Sequence, residues 1–240
     1  MAEAVLDSSL TVIIERTPPT MPVPLPKRLL VEAIGVALIV FFGPGSAVIS
    51  AHQGGAISHE GIAAANGLIV MALIYAAGHV SGAHFNPGVT LSFAAFRHFN
   101  LRDVLPYWVA QFGGAIGGAA LLWALFGGSV DIAVTGPSTG DADAFVIEVV
   151  MTFLLMFVIM AVATDSRAAG QAAALAIGVV VGLDVLVGGP ISSGSMNPAR
   201  SLGPAVVAGE LTSLWIYLIA PPLGALLGAA TYTFVRGDNP

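Results

Sequence analysis

SGAHFNPGVT at residues 81–90 and SSGSMNPARS at residues 192–201 are two versions of one motif, and they decide the fold. Each motif follows a long apolar run and opens a further apolar stretch of roughly ten residues, about half of what a bilayer-spanning helix requires. Asn86 and Asn197 suit the N-cap of a helix, and proline at the first helical position loses no hydrogen bond. The motifs therefore predict two half-helices, over 87–96 and 198–207, whose N-termini lie inside a membrane.

The composition is that of an integral membrane protein. Of the 240 residues, 56% are hydrophobic and 9% are charged, whereas soluble domains carry about 25% charged residues. The absence of cysteine excludes disulfide bonds and thiolate metal sites. Six long apolar runs are placed, to within a few residues, at 29–49, 62–78, 104–126, 144–162, 172–187 and 211–235. They predict an all-α protein with a single transmembrane domain over 27–236, preceded by a disordered cytoplasmic tail over 1–26.

An internal repeat divides this domain. Asn86 and Asn197 are 111 positions apart, and GGAIGGAA from Gly113 returns as LGALLGAA from Leu223, 110 positions later. We place repeat one at 27–126 and repeat two at 142–236. Each repeat holds three spans, an odd number, so the second copy enters the membrane inverted. Inverted repeats place their sites near the bilayer midplane at discontinuous helices.

The glycines of the third and sixth spans are expected to allow close helix crossings. They are Gly113, Gly114, Gly117, Gly118, Gly224 and Gly228.

The basic residues predict the orientation, because lysine and arginine favour cytoplasmic loops. With both termini in the cytoplasm, and the protein in a cell membrane, only Arg200 falls on the outer side. The other basic residues are then cytoplasmic: Arg16, Lys27, Arg28, Arg97, Arg102, Arg167 and Arg236. Since Arg200 lies three residues after Asn197, we expect it to serve the second motif rather than the topology.

Two carboxyl groups lie within the spans and need partners there. Glu32 in the first span corresponds to Glu148 in the fourth. We predict that both accept hydrogen bonds from the re-entrant segments 78–85 and 188–196, which are expected to be irregular and to line a pore with carbonyl oxygens. The alternative is that Glu32 or Glu148 couples transport to protons.

The chain resembles the aquaporin, or major intrinsic protein, family over about residues 27–236. The resemblance is carried by the paired Asn-Pro motifs and by the arginine after the second motif. The stretches SGAHFNPGVTLSFAAFRHF and GGPISSGSMNPARSLGPA are most similar to the nodulin-26-like branch and its bacterial relatives. The resemblance implies a pore between two motifs, Asn86-Pro87-Gly88 and Asn197-Pro198-Ala199. It also implies membrane lipid as surroundings, a homotetramer with one pore per subunit, no cofactor or metal, and no nucleic-acid partner.

One residue departs from the family pattern, because the first motif has Gly88 where alanine is usual. We expect the missing methyl group to loosen the packing against the facing motif slightly. Glycine also weakens a helix by up to ~1 kcal/mol.

The family's selectivity filter is implied to fall on Asn66, Val185, Gly194 and Arg200. Water-selective members have an aromatic residue and a histidine at the first two positions, so asparagine and valine should give a wider and partly apolar filter. Ser201 stands where glycerol facilitators usually have aspartate. Asp184 should face away from the pore, toward the outer surface or a subunit interface.

The sequence thus predicts a passive channel for small neutral hydroxylated solutes and water, and no enzyme. Glycerol and metalloid hydroxides such as arsenite or boric acid are the expected solutes. Two alternatives remain: a water-selective channel of the same fold, and a proton-coupled secondary transporter.

Overall fold

The computed structural model describes residues 22–127, 133–168 and 170–237, and within these ranges it contains helices and no strand. The helices are α1 (Leu25–Phe42), α2 (Gly45–His52), α3 (His59–Ser81), α4 (Pro87–Ala95), α5 (Leu101–Phe126), α6 (Asp141–Thr164), α7 (Ala173–Ser192), α8 (Pro198–Ala208) and α9 (Leu214–Val235), with a 3₁₀ turn at Gly170–Ala172. In the described part of the chain, six helical stretches are long and apolar enough to span a bilayer, with α1 and α2 counted together. The predicted all-α fold with six spans and two half-helices is confirmed. Of the predicted tail, residues 1–21 lie outside the described part, and α1 begins before that tail was expected to end.

The first span is interrupted, which the sequence analysis missed. The run predicted at 29–49 forms α1 and α2, separated by Gly43 and Pro44. Pro44 has no N–H to continue the helical ladder and clashes with the preceding turn. Ser46 N instead donates to the carbonyl oxygen of Gly43 at 2.9 Å, which begins the new helix.

The re-entrant segments are shorter than predicted, because α3 and α7 continue to Ser81 and Ser192. Helix α7 passes through Pro190, which has no N–H for the carbonyl oxygen of Leu186. His59 Nε2, from α3, donates to that carbonyl at 2.9 Å. The freed carbonyl therefore stays paired, as a membrane interior requires.

The two repeats interlock through their half-helices. Helix α5 packs along α1 in the first repeat, and α9 packs along α6 in the second. Half-helix α4 packs against α9, and α8 packs against α5, so each half-helix contacts a span of the other repeat. Helices α3 and α7 pack against each other between the repeats. This exchange holds both half-helix tips in the interior of one bundle.

The glycine prediction was right for four positions and wrong for two. A Cβ atom on Gly114 or Gly118 would overlap the carbonyl oxygens of Ala33 or Ala37 on α1. Gly224 and Gly228 approach α6 in the same way. Gly113 and Gly117, in contrast, have no atom of another described residue within 4 Å of an added Cβ. They lie on the exposed face of α5 because they are one position out of phase with the crossing.

Replacing Gly114 by leucine should therefore destabilise the protein, since the side chain would separate α5 from α1. Overpacking a core costs about 1–3 kcal/mol, and here the obstacle is backbone. Gly113→Leu is the matched control, because it adds the same side chain to the open face of the same helix. Thermal unfolding in detergent measures both. Equal melting temperatures for the two variants would contradict this crossing.

Ion pairs hold the end of the bundle that carries both ends of the described chain, here called the terminal end. Arg28 Nη2 lies 2.9 Å from Asp103 Oδ2, joining the starts of α1 and α5. After α6, the Arg167 side chain donates to Asp165 at 2.7 Å and holds the pKa of that carboxyl below its usual range. Arg167 also donates to the carbonyl oxygen of Arg236 at 3.0 Å.

Candidate functional site

The two asparagines of the repeated motif lie at the centre of the molecule. Asn86 Nδ2 donates to the carbonyl oxygen of Met196 at 2.7 Å, and Asn197 Nδ2 donates to that of Phe85 at 2.8 Å. An amide carries two N–H donors. Each asparagine therefore keeps a second N–H, and both side chains line one cavity. The structure thus brings together the two half-helix tips that the sequence placed 111 positions apart.

Each asparagine also begins its own half-helix. Asn86 Oδ1 accepts a hydrogen bond from Gly88 N at 2.9 Å, and Asn197 Oδ1 accepts from Ala199 N at 3.0 Å and Arg200 N at 3.3 Å. A proline follows each cap, as the motif requires. The N-terminus of a helix carries positive partial charge. Two such termini therefore face the centre of the molecule and disfavour a cation there.

Glu32 lies beneath the first re-entrant segment. Its side chain is fully buried. It accepts hydrogen bonds from His84 N at 3.0 Å, Phe85 N at 2.7 Å, Ser81 Oγ at 2.7 Å and Gln111 Nε2 at 2.8 Å. Four donors around one carboxylate fix the backbone immediately before Asn86.

Glu148 occupies the equivalent place beneath the second segment, and it is also fully buried. It accepts from Ser195 N at 2.8 Å, Met196 N at 2.7 Å and Ser192 Oγ at 2.7 Å. The three donors lie 111 positions after those of Glu32. The fourth donor, Gln111, belongs to the first repeat alone, because Pro221 stands 110 positions after it.

These hydrogen bonds hold the backbone in an unusual conformation. Ala83 and Phe85 have φ of 49°, and Met196 has φ of 54°. The left-handed region costs a residue other than glycine roughly 1–2 kcal/mol. Because the N–H groups of Phe85 and Met196 bond directly to the buried carboxylates, the conformation is compensated where it occurs.

Two tyrosines, one beside each buried carboxylate, also hold the re-entrant segments and were not predicted from the sequence. Tyr107 Oη donates to the carbonyl oxygen of Ser81 at 2.8 Å, and Tyr217 Oη donates to that of Ser192 at 2.9 Å. Both rings are fully buried. The tyrosines are 110 positions apart, the offset of the glycine-rich repeat, so a search at that offset identifies them.

A cavity of about 140 Å³ runs from the asparagines toward the terminal end, and we call it the terminal-side cavity. One wall is made of residues 82–86 and 194–197, the irregular segments and their caps. The facing wall is apolar: Ile39, Val70, Ile74, Val89, Phe93, Leu155, Ile159, Ile177 and Val181. The terminal-side cavity is thus polar along one side and apolar along the other.

A second cavity, of about 350 Å³, opens at the opposite end of the bundle, and we call it the far-side cavity. Asn66 and Arg200 line both cavities, so the two spaces adjoin at these side chains. Val185 lines the far-side cavity and Gly194 the terminal-side cavity. The four residues that the sequence assigned to a filter therefore surround this junction, here called the neck.

Arg200 is held at the neck by backbone carbonyls. Its Nη1 donates to Ala133 O at 3.2 Å, and its Nη2 lies 3.5 Å from Ser193 O. The side chain is buried. A guanidinium has five N–H donors in a fixed plane. The neck thus combines fixed donors with the amide of Asn66 and the apolar side chain of Val185.

The two half-helices meet at a common cavity, as the sequence motifs predicted. A sequence model of the major intrinsic protein family matches residues 21–232.

The chain belongs to this family.

Similar family members agree with the branch that the motifs indicated. Nodulin-26 of Glycine max is 46% identical over 224 residues, which are 93% of this chain and 83% of that protein. Aquaporin NIP1-1 of Oryza sativa subsp. japonica is 46% identical over 218 residues, 90% and 77% of the two chains. The X-ray structure of the aquaglyceroporin from Plasmodium falciparum has a TM-score of 0.78 at 26% identity, covering 89% of this chain and 98% of that one. The predicted resemblance to the nodulin-26-like branch is confirmed. The prediction of a channel rather than an enzyme is confirmed by the family and by these relatives, which include an aquaporin and an aquaglyceroporin.

Two expectations about this major intrinsic protein were wrong. A methyl group on Gly88 would lie 3.3 Å from Asn86 Oδ1 in its own motif and 3.5 Å from Pro222 of α9, not against the opposite motif. The missing methyl therefore concerns the cap of its own half-helix and the contact with α9. Asp184 is buried rather than at an outer surface, and its Oδ2 has no hydrogen-bond partner among the described residues. Rotation along α7 does turn it out of both cavities, but into the interior.

Proposed function

We propose that this protein is a passive channel for small neutral hydroxylated solutes and water. Its solutes would be glycerol and metalloid hydroxides such as arsenite or boric acid. The observation that carries the proposal is the neck between two cavities, which Asn66 and Arg200 line together with the apolar side chain of Val185. The similarity to the Plasmodium falciparum aquaglyceroporin supports this solute class. Solutes move down their own gradients, without covalent chemistry.

The neck suits molecules that offer both hydroxyl groups and carbon or metalloid surface. Arg200 supplies fixed donors and Asn66 supplies an amide. Asn66 and Val185 leave room where water-selective members have two rings. Glycerol or boric acid then exchanges its water shell for these groups. Cations and protons are disfavoured by the positive charge of Arg200 and of the two half-helix N-termini, as in aquaporin-type pores generally.

Glu32 and Glu148 serve as structural supports in this proposal. A proton-coupled transporter would require a carboxyl that changes its protonation during each cycle. Both carboxylates instead accept three or four hydrogen bonds that hold the re-entrant backbone, which is a structural use of the carboxyl group. Uptake against a gradient, or uptake abolished by an uncoupler, would favour the transporter.

We also propose the surroundings of the channel. The basic ends of α1, α5 and α9 would face the cytoplasm of the cell, across the cell membrane, in accord with the preference of Arg and Lys for that side. Four copies would form a homotetramer with one pore each, as the family resemblance implies. The domain would comprise 27–236, as two interlocked repeats.

Stopped-flow light scattering of proteoliposomes tests the solute class. Glycerol, boric acid and arsenite gradients should be relaxed by solute entry, whereas sorbitol should be excluded by its size. Empty liposomes are the control. Rapid water flux with no entry of any solute would favour the water-selective alternative and contradict this proposal.

The double substitution Asn66→Phe and Val185→His should convert the pore toward water. A ring and an imidazole would narrow the neck and replace its apolar wall. We expect glycerol permeability to fall by about tenfold or more, which corresponds to a barrier higher by at least ~1.4 kcal/mol. Water permeability should change less. Leu68→Phe, on the exposed face of α3, is the matched control. Undiminished glycerol flux in the double variant would refute the filter assignment.

A further inference from the structure

Gly43 lies beside the neck, at the break between α1 and α2. Ile39, one turn before it, lines the terminal-side cavity, and Pro44 lines the far-side cavity. Gly43 itself is buried. Its N–H donates to Ile39 O at 2.9 Å, and its carbonyl accepts from Ser46 N at 2.9 Å. The backbone is therefore fixed on both sides at the level where the two cavities meet.

The amide of Asn66 occupies the space that a side chain at position 43 would fill. Asn66 Oδ1 lies 2.7 Å, and its Cγ 3.2 Å, from the position of a Cβ atom on Gly43. Asn66 Nδ2 donates to Ile62 O at 2.8 Å, which turns the amide back along α3. Because a carbonyl oxygen only accepts, this bond also fixes which atom of the amide is Oδ1.

We propose that Gly43 is a specificity-determining position, which sets the width of the neck through Asn66. Any side chain there would displace the amide of Asn66, since the backbone of Gly43 is held and the amide is the mobile partner. Asn66 lines both cavities, so its displacement narrows the neck. This inference rests on the proposed function and deepens it, because it names a residue outside the filter that controls solute size.

The test is a double-mutant cycle in proteoliposomes. Gly43→Ala should lower glycerol permeability by about tenfold, and water permeability by less. In the Asn66→Ala background, where no amide is displaced, the same substitution should change glycerol permeability by less than about twofold. Gly78→Ala is the matched control, because its new Cβ would meet only Ile74 Cγ2 at 3.8 Å.

The cycle separates an effect on the neck through the Asn66 amide from an effect on the backbone of α1. An added Cβ would also lie 2.7 Å from Ile39 O, and that contact is present in both backgrounds. An equal loss of flux with and without the amide, or no loss in either, would overturn the proposal. If Gly43→Ala does not fold, Asn66→Gln replaces it, because the longer amide cannot fit against Gly43 and must enter the neck. Unchanged glycerol flux in Asn66→Gln would then overturn the proposal.

The wild-type protein keeps this test distinct from that of the proposed function. If wild type passes water and no solute, the proposed solute class fails. Gly43 is then assessed from water permeability in the same four proteins of the cycle, where the same dependence on Asn66 is expected.

Discussion

Replacing Glu148 by alanine should abolish conduction and leave little folded protein. The substitution removes the acceptor of three hydrogen bonds, and two of their donors are the backbone N–H groups of Ser195 and Met196. Each buried donor left without a partner costs about 1–3 kcal/mol. The left-handed conformation of Met196 would also lose its compensation. Together these losses approach the 5–15 kcal/mol that stabilises a typical protein.

The variants around Glu148 distinguish a support from a titrating group. Glu148→Gln retains one acceptor oxygen, so it should fold with reduced stability and still conduct. Glu60→Ala, at the exposed start of α3, is the control for removal of a carboxylate. Size-exclusion chromatography and thermal unfolding in detergent report the folded fraction, and stopped-flow reports water permeability. A stable, conducting Glu148→Ala protein would contradict the support.

Replacing Glu32 by alanine should lower the thermal stability of the protein more than replacing Glu148 does. It accepts four hydrogen bonds, and one of them comes from Gln111, which repeat two lacks. Gln111 Nε2 also bonds to Thr90 Oγ1 at 2.9 Å, and His84 Nδ1 lies 3.1 Å from the same hydroxyl. The first half-helix is thus connected to Glu32 through side chains as well as through its backbone.

Much of the fold was predictable because its determinants are local. Asn followed by Pro favours the start of a helix, and a bilayer fixes how long a span must be. The parity of three spans per repeat then dictated the inversion. Gly43-Pro44 is an equally local indication of a break in the first span. The break was not predicted because the residues on both sides form one continuous apolar run.

Other features depend on neighbours that the sequence does not order. The persistence of α7 through Pro190 requires His59 from another helix. Gly113 and Gly114 have the same chemistry, yet only one faces α1, because the crossing is set by the whole bundle. The contact of Gly88 with Pro222 follows from the exchange of half-helices between repeats, which no motif states.

The candidate site was predictable where the repeat marks it twice. Glu32 with Glu148, and Asn86 with Asn197, recur at related positions in the two halves. Tyr107 and Tyr217 also recur at the repeat offset, but a tyrosine within an apolar span does not by itself indicate a supporting role. The role proposed for Gly43 could not be predicted, because it depends on the packing of Asn66 from another helix against this glycine.

In the proposed mechanism, molecules pass between the two half-helix tips through the terminal-side cavity. A cysteine introduced in the wall of that cavity tests this passage most directly. The chain contains no cysteine, so an introduced cysteine is its only thiol for Hg²⁺. Ile177 lines that cavity, whereas Val179, two residues along the same helix, is 59% exposed on the outer face.

The measurement is water permeability of proteoliposomes before and after Hg²⁺, with labelling of each thiol verified by mass spectrometry. Hg²⁺ should block Ile177→Cys almost completely, a thiol reductant should restore the flux, and Val179→Cys should conduct throughout. A fully labelled Ile177→Cys protein that still conducts, or equal block of both variants, would contradict a passage between Asn86 and Asn197.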